Sequence, residues 1–389
     1  MPLGCRIRSL ASLAKSSSIP LCVLTVLLML IVAMQSANAG VAALSLQSPN
    51  LSQTGTTDLV SPIHIQATAE DTSSVTGYVV YLDNQNVYQN FRPSIDAWIV
   101  LPPGKHSLYV KAWDSESNLS TSRYSINVTG FAPPAPPINA NRILGIDNGV
   151  FTVDNNPNVG GNCNHGSIGS FPKNVDPNTR NLPTADGLGQ HFMVTSGCQY
   201  DDSLFYQKFS KNPAKFLGDT NFLWDFWFYI PTSVGSSTVE AIEFDLFETV
   251  PFPDGVHEFM FGTQCNYSTN QWQLWLPQGT NLVWVNAGIS PCRFTPGTWH
   301  HAIYFLQRVT PLGYQKIPSV SSQSTDPNTS LRFGTLTLDG QTAYLGGVAW
   351  STIPSPAWTS VLGVQHQMDS AAAGVVLEEY VDGESVVFW

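Results

Sequence analysis

The chain has 389 residues, with 28 Asp and Glu against 17 Lys and Arg and a formal charge of −11. Charged residues are few (12%), aromatics many (11%), and 30 Gly and 27 Pro punctuate the sequence, the balance of an all-β, turn-rich exported protein rather than a helical one. The acidic surplus argues against a basic groove for nucleic acid and against attraction to an anionic membrane; a neutral partner such as a polysaccharide fits better.

Residues 1–39 read as a signal peptide: Arg6, Arg8 and Lys15, then an apolar run from Leu21 to Met34, then the small-x-small site Ala37-Asn38-Ala39. No later apolar stretch is long enough to cross a bilayer. The expected location is therefore secreted, extracellular or periplasmic, with no membrane contact after cleavage. Outside the leader stand Cys163, Cys198, Cys265 and Cys292, an even set that predicts disulfides in an exported chain. Three pairings are open, and proximity favours Cys163–Cys198 and Cys265–Cys292. Cys-x-x-Cys and His-x-x-x-His spacings are absent, so no metal centre and no cofactor are expected. A structural calcium would need oxygens from several segments and stays unassigned. A monomer is expected.

Residues 41–130 carry a short strand pattern about every ten residues. Ile63-His64-Ile65-Gln66-Ala67 alternates, as does Gly77 to Leu82, and the turn Pro102-Pro103-Gly104 precedes a strand from His106 to Asp114. The order Val80-Tyr81-Leu82-Asp83, Pro-Gly turn, Leu108 to Asp114 resembles bacterial Ig-like modules of exported proteins, and implies an Ig-like β-sandwich acting as a spacer or adhesion module. Residues 131–142 contain Pro133, Pro134, Pro136 and Pro137, a linker expected to keep its neighbours apart.

Residues 143–389 form a second all-β unit. Phe222 to Ile230 is apolar on nearly both faces and predicts a central strand, with Trp224, Phe226 and Phe228 on one side and Asp225, Trp227 and Tyr229 on the other. In the next strand, Ile242, Phe244 and Leu246 face a core, while Glu243 and Asp245 face away. Strict alternation sends Glu248 inward; a bulge near Leu246-Phe247 would return it to the acidic face. In His257 to Gln264, Phe259 and Phe261 are buried and Glu258, Met260, Gly262 and Gln264 face outward. In Gly363 to Asp369, Val364, His366 and Met368 oppose Gln365, Gln367 and Asp369. His257 is a candidate to reach the acidic strand. His300 and His301 point to opposite faces and are expected to be structural.

The pattern Glu243-x-Asp245-x-x-Glu248 resembles the active-site strand of the laminarinase/lichenase family of retaining glycoside hydrolases, although Phe244 replaces the aliphatic residue usual there. The strand order, the Trp299 strand followed by Leu338-Asp339-Gly340, and the Tyr380 to Trp389 closing strand resemble concanavalin A-like lectin and glucanase domains. The resemblance implies a concanavalin A-like jelly-roll β-sandwich with Glu243 as nucleophile, Glu248 as acid/base and Asp245 tuning both. Trp227, Tyr229, Gln264, Gln365, Gln367 and Trp272 are the expected sugar-binding side chains, because aromatic faces stack on sugar CH faces and amides bond hydroxyls. Trp275 and Trp284 are candidates for a rim. Three functions compete: a secreted carbohydrate-binding protein using the concave face of the jelly roll, a retaining endo-β-glycanase, and a non-catalytic structural or adhesive surface protein.

Overall fold

A computed structural model of the chain describes residues 44–69, 74–155, 166–172, 188–209, 220–235, 237–252, 255–278, 281–309, 330–350 and 361–389. The signal-peptide reading and Cys163 lie outside them. The described chain is strand and turn, with a single 3-10 turn at Ile146–Asn148. Among the described residues, no helix is long and apolar enough to cross a membrane.

The first unit pairs a three-stranded sheet with a five-stranded one. Alternation builds it. In Gly104–Asp114, Leu108, Val110 and Ala112 are fully buried against Ile63, Ile65, Tyr78, Val80 and Ile126. The intervening Lys111 lies over the Tyr81 ring.

The second unit is a two-sheet sandwich. One sheet has seven strands in the order Thr152–Asn155, Asp202–Lys208, Leu362–Ser370, Val239–Phe252, Gly255–Asn266, Gln271–Gln278, Asn281–Asn286. The other has nine strands and centres on Asn221–Tyr229, which lies between Val376–Phe388 and Trp299–Val309. Phe226, Phe228, Phe244, Phe259, Phe261 and Trp224 all have no exposure and interlock between the sheets. The core is unusually aromatic, with Phe244 packed on Phe226 and Phe228 at ring separations of 5.1 and 5.0 Å.

The linker does not hold the units apart. Val100 of the first unit is buried in one cluster with Leu223, Phe305 and Val387 of the second. Phe131 stacks on Tyr344 at 5.4 Å, and Gln307 Nε2 donates to the Trp98 carbonyl at 2.8 Å. Apolar side chains on both sides of the proline run close the gap.

Cys265 and Cys292 form a disulfide across 27 residues of chain. Cys198 is disulfide-bonded as well. Closing a loop of that size restrains the unfolded chain by roughly 3–4 kcal/mol. We expect Cys265→Ala/Cys292→Ala to lose about that much in urea unfolding; an unchanged midpoint would show that the bridge adds nothing to the native state.

Candidate functional site

The acidic strand Val239–Phe252 sits in the middle of the seven-stranded sheet, between Gly255–Asn266 and Leu362–Ser370. Its pairing fixes which side chains share the outer face. Glu243 lies opposite Gln264 on one side and Gln367 on the other, and Asp245 lies opposite Gly262 and Gln365. The first row continues through Gln273 to Asn286. Five neighbouring strands thus present Gln367, Glu243, Gln264, Gln273 and Asn286 in a line.

Hydrogen bonds order this face. Gln264 Nε2 donates to Gln273 Oε1, and Gln273 Nε2 donates to Asn286 Oδ1 at 2.9 Å. Asp245 accepts from Gln365 Nε2 at 2.7 Å and from the Thr263 amide at 3.2 Å. Glu243 is hydrogen-bonded to Asp369. Glu243 and Asp245 are each 5% exposed, and Gln264, Gln365 and Gln367 are buried beside them. Burial pushes the Glu243 carboxyl well above the carboxylate range, and the charges of Asp369 and Asp245 add to it. Burial also raises Asp245 to about 7, against the Thr263 and Gln365 hydrogen bonds that favour its ionised form. Asp369 is likewise raised to about 7 by burial, with Asp202 adding to it. The row is therefore a set of carboxyls whose burial favours the protonated form, flanked by amides.

Glu248 is not part of it. The pairing of the acidic strand runs without a register shift from Ala241 to Phe252 on one side and to Glu248 on the other. No bulge intervenes, and Glu248 points into the core as plain alternation requires. There it has no exposure, and its Oε2 accepts from Arg308 Nε at 2.7 Å. The two glutamates stand on opposite faces of the sheet, so the nucleophile and acid/base pair of a retaining hydrolase is not assembled.

The expected aromatic platform also changes. Trp227 and Tyr229 belong to the nine-stranded sheet and lie on its far side. Trp227 stacks on His301 at 4.3 Å, and His301 bonds Asp225 at 2.7 Å. Tyr229 packs on Trp299 and Tyr380. Trp272 faces the core, 1% exposed, beside Phe294 and Phe244. The rings that do reach the acidic face are Trp275 and Trp284, opposite each other and 4.9 Å apart. They pack over Gly262, where a Cβ would meet the Trp275 Cβ at 2.8 Å and the Trp284 ring at 3.4 Å, with Asp245 Oδ1 3.5 Å away. Tyr206, opposite Gln365, adds a ring on the other flank. Period-two counting in the Gln271–Gln278 hairpin distinguishes Trp275 from Trp272.

His257 lies opposite Val250, hence on the core side, 7% exposed. His300 bonds Asp339 at 2.8 Å and packs on Phe228. A third group escaped the sequence reading. His366, Glu379 and Glu384 meet in the sandwich core with no exposure. His366 Nε2 is 3.1 Å from Glu384 Oε1, and its Nδ1 is 3.6 Å from Glu379 Oε1. Trp224 Nε1 donates to the same Glu384 oxygen at 2.8 Å. Burial pulls the imidazole down, but the two carboxylates outweigh it and hold it at about 10. Among the described residues, no cluster of three or more His, Cys, Asp or Glu is arranged to hold a metal ion.

No protein-family model and no curated protein matches the sequence. Among solved structures, the chain is similar to carbohydrate-binding modules of the beta-sandwich superfamily, at 12% identity and a TM-score of 0.28, over 89% of this chain and 97% of that one. A carbohydrate esterase of the Shiga toxin-encoding bacteriophage phi24B matches at 12% identity and 0.30, over 61% and 89%. Fibronectin(III)-like modules of Clostridium thermocellum match at 18% and 0.19, over 23% and 100%. At such scores the function has to be read from the site itself.

Proposed function

We propose that the protein is a secreted carbohydrate-binding protein, and that it engages an extracellular polysaccharide on the outer face of the seven-stranded sheet of a lectin-like, concanavalin A-type sandwich. The observation that carries this reading is the row Gln367, Glu243, Gln264, Gln273 and Asn286 running across five strands beside Trp275 and Trp284. Amides and carboxyls accept and donate to sugar hydroxyls, and indole faces cover sugar CH faces. Strand spacing of about 4.8 Å offers a repeated ladder of polar groups to a repeated chain of rings. Recognition proceeds without hydrolysis, because Glu248 is withdrawn into an ion pair with Arg308.

The test is binding of the full chain to soluble β-glucan, xylan and galactan by affinity electrophoresis and calorimetry. At least one is expected to bind. Trp275→Ala/Trp284→Ala should weaken that binding at least tenfold, Glu243→Gln should weaken it several-fold, and reducing ends should not accumulate. Indifference to every glycan, or affinity untouched by the tryptophan changes, would remove this face as the site.

A further inference from the structure

A second cleft lies elsewhere, at the junction of the two units, with a volume of about 930 Å³, a size typical of small-molecule sites. The first unit supplies Tyr88, Arg92 and Trp98; the second supplies Gln307 and Arg332. Trp98 is held in place, stacked on His64 at 4.6 Å with the rings 8° from parallel. Its backbone carbonyl is tied to Gln307 across the junction. The pairing of Arg332 with Gln307, and of Gln307 with Asn221, puts these side chains on one face of the nine-stranded sheet, toward the first unit.

The charge of this cleft runs against that of the whole molecule. In a chain of net −11, it gathers Arg92 and Arg332. Its acid, Asp96, is engaged by His64 Nε2 and Gln66 Nε2. Among the described residues no carboxylate pairs with Arg332. Burial holds its guanidinium below the usual value, with only Tyr344 acting against that. A half-buried guanidinium without an anion is costly, and its planar fork matches a carboxylate or sulfate better than any neutral group.

We propose that the junction cleft is a second glycan site, separate from the acidic face, and that it takes an anionic sugar, with Arg332 and Arg92 on its carboxylate or sulfate and Trp98 and Tyr88 against its ring. The acidic face offers such a ligand no cation, so the two sites select different parts of a mixed matrix: neutral chain on one, charged residue on the other.

The experiment is calorimetry on the full chain with hexagalacturonate, with the same hexamer methyl-esterified, and with a chondroitin sulfate hexasaccharide, at low and moderate salt. One or both of the charged hexasaccharides should bind, the esterified one should not, and affinity should fall with salt. Preference between carboxylate and sulfate identifies the source of the anion. Arg332→Ala should weaken binding at least tenfold and Arg332→Lys less, with no fall in melting temperature. Neither should alter neutral-glycan binding, which depends on Trp275 and Trp284, so failure of one site is distinguishable from failure of the other. Equal binding of the esterified hexamer, no binding of either charged hexasaccharide, or indifference to Arg332→Ala would overturn the proposal.

Discussion

Replacing Glu248 by alanine is expected to destabilise the protein by about 3–5 kcal/mol, one of the largest effects of any single change. Glu248 and Arg308 come from opposite sheets and have 0% and 1% side-chain exposure, so their pair spans the core. Removing the carboxylate takes away the charge that Arg308 faces inside the core. The double change Glu248→Ala/Arg308→Met removes both charges and should recover much of the loss, because the methionine fills apolar volume without a charge to satisfy. Urea midpoints at constant m value give the answer. A single variant as stable as wild type would mean the pair does not support the core. The same measurement separates the two histories of this residue: a catalytic acid on an open face could be replaced at little cost in stability.

What alternation alone dictates was legible. It placed Phe244 and Leu246, Phe259 and Phe261, and Trp224, Phe226 and Phe228 in the core, and all are fully buried. It also set Gln365, Gln367 and Gln264 on the face of Glu243 and Asp245. Alternation also sends Glu248 inward; the bulge near Leu246-Phe247 that would return it to the acidic face does not form. Trp227 was misplaced for a different reason. Consecutive strands usually neighbour one another, but here the chain leaves the nine-stranded sheet after Tyr229 and joins the seven-stranded one at Val239. No local pattern announces that crossing, nor that Arg308 would meet a partner 60 residues away.

The core triad shows the limit most clearly. Glu379 and Glu384 have opposite parity and cannot share a face of an unbroken strand. They do share one, because the pairing with Asn221–Tyr229 shifts register between Asp225 and Trp227, and the extra residue returns Glu384 to the inside. A bulge does bring two glutamates together in this protein, but in the closing strand and facing the core.

That triad sets the second large expectation, an alkaline loss of stability. His366 titrates near 10 in the folded state against about 6.5 in an unfolded chain. A base whose folded value is raised binds its proton more tightly when native. Its contribution is therefore complete below about pH 6.5 and disappears as pH rises through 10. The loss should be on the order of 3 kcal/mol between pH 7 and 10. Other groups bear on the same window. Glu379 and Glu384 face the imidazole from the closing strand, Asp147 holds the Glu384 amide, and Asp245 couples to His366 from the sheet. Asp245 and Asp369, raised to about 7, also make stability fall with rising pH, but mainly between about 4 and 7. The difference between wild type and His366→Gln isolates the imidazole. The variant should be several kcal/mol weaker at pH 7, because two carboxyls then share a cage of Phe151, Phe192, Phe226, Phe244 and Trp224 without a cation. That deficit should narrow toward pH 10, where wild type has lost the same charge. Parallel urea-midpoint curves from pH 7 to 10 would show that His366 is not charged in the native core.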